Sequence, residues 1–158
     1  MTHAVEGRRR VLRASQPCGK NTALLASMSV EGMGLTLAVE GTTNREVFEA
    51  YVERVLAPTL RPVQVVVMDD LCAHKGHKVG EPIERRRCEL LYLPPYSSPD
   101  LNPIEEAFSK IEGILRKAEA RTREALVGAM GVAISAVTAR DAWGFFEHCG
   151  YGSMVQPL

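Results

Sequence analysis

An apolar run that ends abruptly in two acidic residues constrains the fold more than any other feature of the sequence. Residues 63–68 read Val-Gln-Val-Val-Val-Met, and Asp69 and Asp70 follow directly. Such a run is typical of a strand buried on both faces, as in a parallel sheet. Because open α/β sheets bind ligands at the carboxyl ends of their strands, Asp69 and Asp70 stand where a functional site is expected.

Two further strand patterns flank this run in the sequence. Alternating apolar residues predict a hairpin with strands near 24–30 and 35–39 that turns at Glu31-Gly32. A second short buried strand is predicted at 90–93, where the sequence reads Leu-Leu-Tyr-Leu. These segments supply the strands of a mixed sheet.

Apolar residues at helical spacing alternate with the strands. They predict a helix over 47–56, preceded by Thr43 and Glu46 at the spacing of a capping box. A short helix is expected from about Glu81, a longer one from Pro103 with Asn102 as its cap, and another over about 122–137. The aromatic segment 143–151 is expected to pack back onto the domain, and the whole order favours a mixed α/β sheet flanked by helices.

Composition limits the class of protein further. A length of 158 residues predicts one domain, and 19 basic against 19 acidic residues give no net charge. Any contact with nucleic acid must therefore come from local patches. The sequence contains neither an apolar stretch of the ~18 residues that a membrane span needs nor a signal peptide, and its four cysteines form no CxxC motif. We expect an intracellular protein with reduced thiols and no membrane partner.

Local chemistry alone leaves two interpretations of the acidic residues open. Asp69, Asp70 and Glu105 could hold a hard divalent cation through oxygen ligands, because Glu105 and Glu106 open a helix after a proline-rich loop. Alternatively, the aspartates form a turn after a strand, and Glu105 completes a capping box with Asn102.

A resemblance to a known family favours the first interpretation. Residues 69–75 read Asp-Asp-Leu-Cys-Ala-His-Lys, and 91–105 read Leu-Tyr-Leu-Pro-Pro-Tyr-Ser-Ser-Pro-Asp-Leu-Asn-Pro-Ile-Glu. Both resemble the catalytic core of bacterial insertion-sequence transposases of the mariner-type superfamily, which use DDE chemistry. The similarity extends from about Lys20 to Tyr151 and includes the closing segment 145–151.

The resemblance implies a fold, an activity and partners. The fold is RNase H-like, and the activity is DNA cleavage and strand transfer with Mg²⁺ or Mn²⁺. The partners are transposon-end and target DNA, together with further copies of the chain or a full-length transposase. The location is the cytoplasm of a bacterium, in association with the nucleoid.

The resemblance also assigns roles to individual residues. Asp69 matches the second catalytic acid and metal ligand, and Glu105 the third. The 35 residues between them are one more than the family usually has, and the pair Ser97-Ser98 explains the excess. Asp70 would restore the usual spacing and is a further candidate metal ligand.

Several basic residues are candidates for contact with DNA. His74 and Lys75 match the family motif, and they either touch a DNA phosphate or begin the next loop. Arg85 and Arg86 either follow a phosphate backbone or form a solvated helix face. Cys72, His74 and His77 also suggest zinc, although their spacing is irregular.

The first catalytic acid of the family has no match in the sequence. The chain resembles the C-terminal part of a transposase, with a poorly ordered segment or partial strand at 1–20 and the truncated catalytic domain at 21–158. We therefore expect a sheet without its first strand and a chain that is inactive alone. The alternatives are a non-catalytic remnant that binds an intact transposase, and an unrelated α/β domain that binds a small ligand.

Overall fold

The computed structural model describes residues 4–12 by their backbone, and residues 22–41, 43–69, 76–94 and 102–151 in full. The strands are β1 (Ala4–Leu12), β2 (Thr22–Ser29), β3 (Gly32–Met33), β4 (Leu37–Glu40), β5 (Val65–Met68) and β6 (Glu89–Tyr92). The helices are α1 (Arg45–Tyr51), α2 (His77–Arg85), α3 (Pro103–Ala118), α4 (Arg123–Ser135) and α5 (Ala139–His148).

All six strands belong to one mixed sheet. Its order is β3-β2-β1-β5-β6, and β4 pairs with β2 on the same side as β3. Strand β1 runs antiparallel to β2 and parallel to β5, and β5 runs parallel to β6. The prediction of a sheet without its first strand is therefore wrong, because Ala4–Leu12 fills the central position and pairs with both neighbours.

The two faces of the sheet carry separate cores, as alternation along its strands requires. On one face Leu24, Ala26 and Met28 of β2 pack with α3, α4 and α5. On the other face Leu25 of β2 packs with α1, α2 and β5. Helices therefore cover both faces, as the sequence predicts, and the predicted hairpin is confirmed as β2 with β3 and β4.

Helix α1 begins one residue later than its predicted cap. Asn44 is the N-cap residue, and its side chain accepts a hydrogen bond of 2.9 Å from the Val47 amide. The capping box predicted for Thr43 and Glu46 is wrong, because the Thr43 side chain is buried before the helix starts. A π-helical turn (Val52–Leu56) and a 3₁₀ turn (Ala57–Thr59) extend the helix to its proline-punctuated end.

The two elements that flank Asp69 in the sequence, β5 and α2, begin at residues other than those predicted. Strand β5 begins at Val65, because Val63 lies in a turn with a left-handed φ of 71°. Helix α2 begins after Gly76 and carries Pro82 inside it, so the predicted start near Glu81 is too late. The missing amide of Pro82 leaves one helical hydrogen bond unmade, which is tolerable in a helix this short.

The C-terminal elements complete the α3 side of the sheet. The helix expected over about 122–137 is confirmed as α4, and the aromatic segment 143–151 forms most of α5. Phe146 is buried, whereas Trp143 and Phe145 are only partly buried, so the aromatic residues do not all enter the core. Within the described residues no single helix could span a membrane, although α4 and α5, bent by 69°, pass that test as a pair.

Candidate functional site

Asp69 stands at the carboxyl end of the central parallel strands. Val66 and Met68 belong to the core on the α1 and α2 side of the sheet. Alternation along the strand therefore directs Val67, and next Asp69, to the opposite side, which α3 covers. One carboxylate oxygen of Asp69, Oδ1, is buried. The predicted position of Asp69, directly after the carboxyl end of a buried strand, is confirmed.

Helix α3 begins where the sequence predicts. Pro103 is its first residue, and Asn102 has the extended backbone of an N-cap residue, with φ −126° and ψ 91°. The side chain of Asn102 makes no capping hydrogen bond, and it is only 4% exposed. A complete capping box needs that bond, so the Asn102 side chain does not contribute its half of a box with Glu105.

The rotation of α3 determines which way its acidic residues point. Ile104, Phe108 and Ile111 turn one face of the helix into the core. Successive residues of an α-helix are about 100° apart, so Glu105 lies on one flank of this face, whereas Glu106 lies further round, on the side of the helix turned away from the core. Glu106 faces α5, because it contacts His148 at the end of that helix.

The order of the strands indicates which part of the sheet lies beside the Glu105 flank of α3. Helix α5 packs near β3, at one edge of the sheet, and α3 packs against the central strand β1. Strands β5 and β6 lie beyond β1, away from β3. The flank of α3 that faces away from α5 is therefore the one on the side of β5, and α3 lies on the face of the sheet to which strand alternation directs Asp69.

The structure describes only some of the other residues that the sequence predicts to bind metal or DNA. Asp70, His74 and Lys75, with Cys72, lie outside the described residues, so their predicted roles stay predictions. His77 is exposed at the first position of α2.

Arg85 and Arg86 lie at the other end of the sheet from Asp69. They come just before β6, whose first residue, Glu89, pairs with Val65 at the start of β5. The strand from there to Asp69 spans roughly 13 Å at ~3.3 Å per residue. Both arginines are exposed, and Arg85 forms an ion pair with Glu81 one helical turn earlier. A DNA strand that touched both Asp69 and Arg86 would have to run along the parallel strands.

The donor set of the site suits a hard divalent cation. Asp69 and Glu105 offer carboxylate oxygens, which Mg²⁺ and Mn²⁺ prefer. The part of the chain that the structure describes holds no group of three histidine, cysteine or acidic residues that could bind a metal. Two carboxylates leave room for ligands from water and from a phosphate, so they fit a cation that is held jointly with its substrate.

Among the described residues, two pairs of polar side chains join α3 to α5. Nδ1 of His148 lies 2.5 Å from Oε1 of Glu106, and Sγ of Cys149 lies 3.9 Å from the same oxygen. One turn further along α3, Nζ of Lys110 lies 2.6 Å from Oδ2 of Asp141. Neither pair can be predicted from the sequence, because nothing in the spacing of residues indicates which helix packs beside α3.

The Lys110–Asp141 pair predicts a pH-dependent stability. The Lys110 ammonium, and then the Thr138 amide, lower the pKa of Asp141 from 3.8 to about 2. A carboxylate with a lowered pKa stabilises the fold above its unfolded pKa, and that stabilisation is lost as the pH falls through the folded pKa. We expect Asp141→Asn to lower the Tm at pH 6, with the gap from wild type closing between about pH 4 and pH 2. A gap that stayed constant down to pH 2 in thermal melts would contradict this assignment.

Comparisons with known proteins agree with the fold. The family model described as DDE superfamily endonuclease matches residues 2–127. No curated protein sequence matches significantly. The crystal structure of the catalytic domain of Mos1 mariner transposase is similar at 18% identity and a TM-score of 0.75, over 92% of this chain and 76% of that chain. The RNase H-like fold implied by the sequence is thereby confirmed.

Two further structures of that transposase give similar values. Its catalytic domain with raltegravir and Mg matches at 20% identity and a TM-score of 0.74, over 92% of this chain and 77% of that one. Its paired-end complex with the left transposon end matches at 17% identity and a TM-score of 0.71. The match covers 92% of this chain and 52% of the chain in that complex.

Proposed function

Because the chain belongs to the DDE superfamily endonucleases, we propose that it contributes the catalytic domain of a longer transposase, which cleaves DNA and transfers DNA strands, and that the chain alone is inactive. The observation that carries the proposal is that Asp69 follows the carboxyl end of β5 and Glu105 lies in the first turn of α3, a helix packed on the face of the sheet to which strand alternation directs Asp69. We further propose a bacterial insertion-sequence transposase, acting in the nucleoid-associated cytoplasm, whose catalytic domain comprises residues 21–158 together with the central strand β1.

Asp69 and Glu105 would hold Mg²⁺ or Mn²⁺, with Asp70 as a further candidate ligand. When bound, divalent cations in such sites activate an attacking oxygen and stabilise the leaving oxygen of a phosphodiester. Asp69 contributes its charge from the end of a rigid buried strand, and Glu105 from the first turn of a helix seated on the core. This rigidity keeps both carboxylates in place while DNA enters and leaves.

DNA is the proposed partner, both as transposon ends and as target, and the relatives' paired-end complexes support assembly with further copies of the chain. His74 and Lys75 follow the acidic pair in the sequence and are proposed to contact phosphates near the metal. Arg85 and Arg86 are proposed to bind a more distant part of the duplex, because they lie at the opposite end of the sheet.

Titration of the purified chain with Mn²⁺ tests the metal site. Asp69→Asn and Glu105→Gln each remove a negative ligand, and we expect each to weaken Mn²⁺ binding by about 10-fold or more in calorimetry. Glu124→Gln is the matched control, because Glu124 is an exposed acid in the first turn of α4. If all three variants bound Mn²⁺ like wild type, the metal site would lie elsewhere.

A further inference from the structure

The first turn of α3 lacks the side-chain hydrogen bond that usually caps a helix. The first four amides of a helix lack intrahelical partners, and a side chain at the N-cap usually binds one or two of them. Asn102 occupies the N-cap of α3 without making such a bond. The turn that carries Glu105 therefore depends on other contacts for its order.

Helix α5 supplies such a contact at the adjacent residue. The side chain of His148 lies beside Glu106, and Cys149 approaches the same carboxylate oxygen. Glu106 has a side-chain exposure of 33%, so this contact is only partly screened by water. The end of α5 is itself tied to the core through Phe146, whose ring makes an edge contact with Tyr151. His148 thus connects the first turn of α3 to a well-packed element.

The contact also separates the two neighbouring acids. Glu105 and Glu106 are adjacent in the sequence and would repel each other if both turned toward one cation. The contact with His148 holds Glu106 toward α5, and Glu105 lies on the flank of α3 that faces away from α5. Rotation of the turn by one residue would instead present Glu106 to the site, and the His148 contact opposes that rotation.

We propose that His148 is a positioning residue that acts through Glu106 to fix the rotation of the first turn of α3, so that Glu105 meets the cation. This inference rests on the proposed function, since it concerns the same metal site. It assigns no contact between His148 and the metal or DNA. Removing an interaction that orients a metal ligand commonly weakens metal affinity by about 10-fold or more.

The experiment compares Mn²⁺ affinity in four forms of the full chain. We expect His148→Ala to weaken Mn²⁺ binding by about 10-fold, and His148→Asn to restore most of it, because its amide nitrogen lies near the position of Nδ1. Lys110→Met is the matched control: it breaks the other pair between α3 and α5, one turn away, and should leave Mn²⁺ affinity unchanged. His148 has a side-chain exposure of 70%, so its replacement should not prevent folding.

Hydrogen exchange gives a second readout that does not depend on metal. The amides of residues 105–108 should exchange faster in His148→Ala than in wild type, and at the wild-type rate in Lys110→Met. If His148→Ala bound Mn²⁺ like wild type while Asp69→Asn did not, the positioning role would be overturned and the proposed function retained. Equal weakening by His148→Ala and Lys110→Met would also overturn it. Failure of wild type to bind Mn²⁺ would overturn the proposed function itself.

Discussion

Replacing Phe108 by alanine is expected to lower the free energy of unfolding by about 3–5 kcal/mol, a large part of the roughly 5–15 kcal/mol typical of a domain. Phe108 is fully buried in the core between α3 and the sheet. Its removal takes away apolar contacts and leaves a cavity that the rigid sheet cannot close. Urea unfolding followed by circular dichroism measures the change.

Leu35→Ala is the control for that experiment. Leu35 is 63% exposed in the segment between β3 and β4, so its truncation should change the free energy of unfolding by less than about 0.5 kcal/mol. A loss of under about 1 kcal/mol for Phe108→Ala would contradict the packing of α3. Because Glu105 lies one turn before Phe108, the same variant should also weaken Mn²⁺ binding.

The elements that carry Asp69 and Glu105 could be predicted because their signals are local. The continuous apolar run before Asp69 identifies β5, and Asn102-Pro103 marks the start of α3. Neither inference needs knowledge of which segments meet in space. The acids at the end of one element and the start of the other then follow directly from the sequence.

The errors arise where long-range packing overrides the local pattern. Strand β1 contains three consecutive arginines, Arg8–Arg10, which resemble an exposed terminus rather than a central strand. Residues 4–12 form a strand because they pair with β2 and β5, and no local pattern in the sequence indicates that pairing. Likewise, the distance of Arg85 and Arg86 from Asp69 follows from the parallel register of β5 and β6, which the sequence does not reveal.

The register of β1 identifies where a third acid would complete the site. Ala4, Val5 and Glu6 pair in parallel with Val65, Val66 and Val67. Continuing that register by two residues makes position 8 level with Asp69. Position 8 also pairs with Ala26, which packs on the α3 side of the sheet. A carboxylate introduced at position 8 would therefore join Asp69 and Glu105, whereas the present residue, Arg8, is basic.

Two predictions about DNA cleavage follow from this register. The purified chain should leave supercoiled plasmid uncut in Mn²⁺, since two carboxylates bind two cations poorly. Arg8→Asp should raise metal-dependent nicking by about 10²-fold or more above background, the scale of one well-placed electrostatic group in an active site.

Arg10→Asp is the matched control for that gain, because it makes the same change of charge on the same strand, level with Leu24 and further from Asp69. It should leave the plasmid uncut, and adding Asp69→Asn to Arg8→Asp should abolish the new nicking. If the wild-type chain nicked the plasmid and Asp69→Asn abolished that nicking, a residue already present in the chain would complete the site. Glu6, which pairs with Val67 two residues before Asp69, would then be the first to replace.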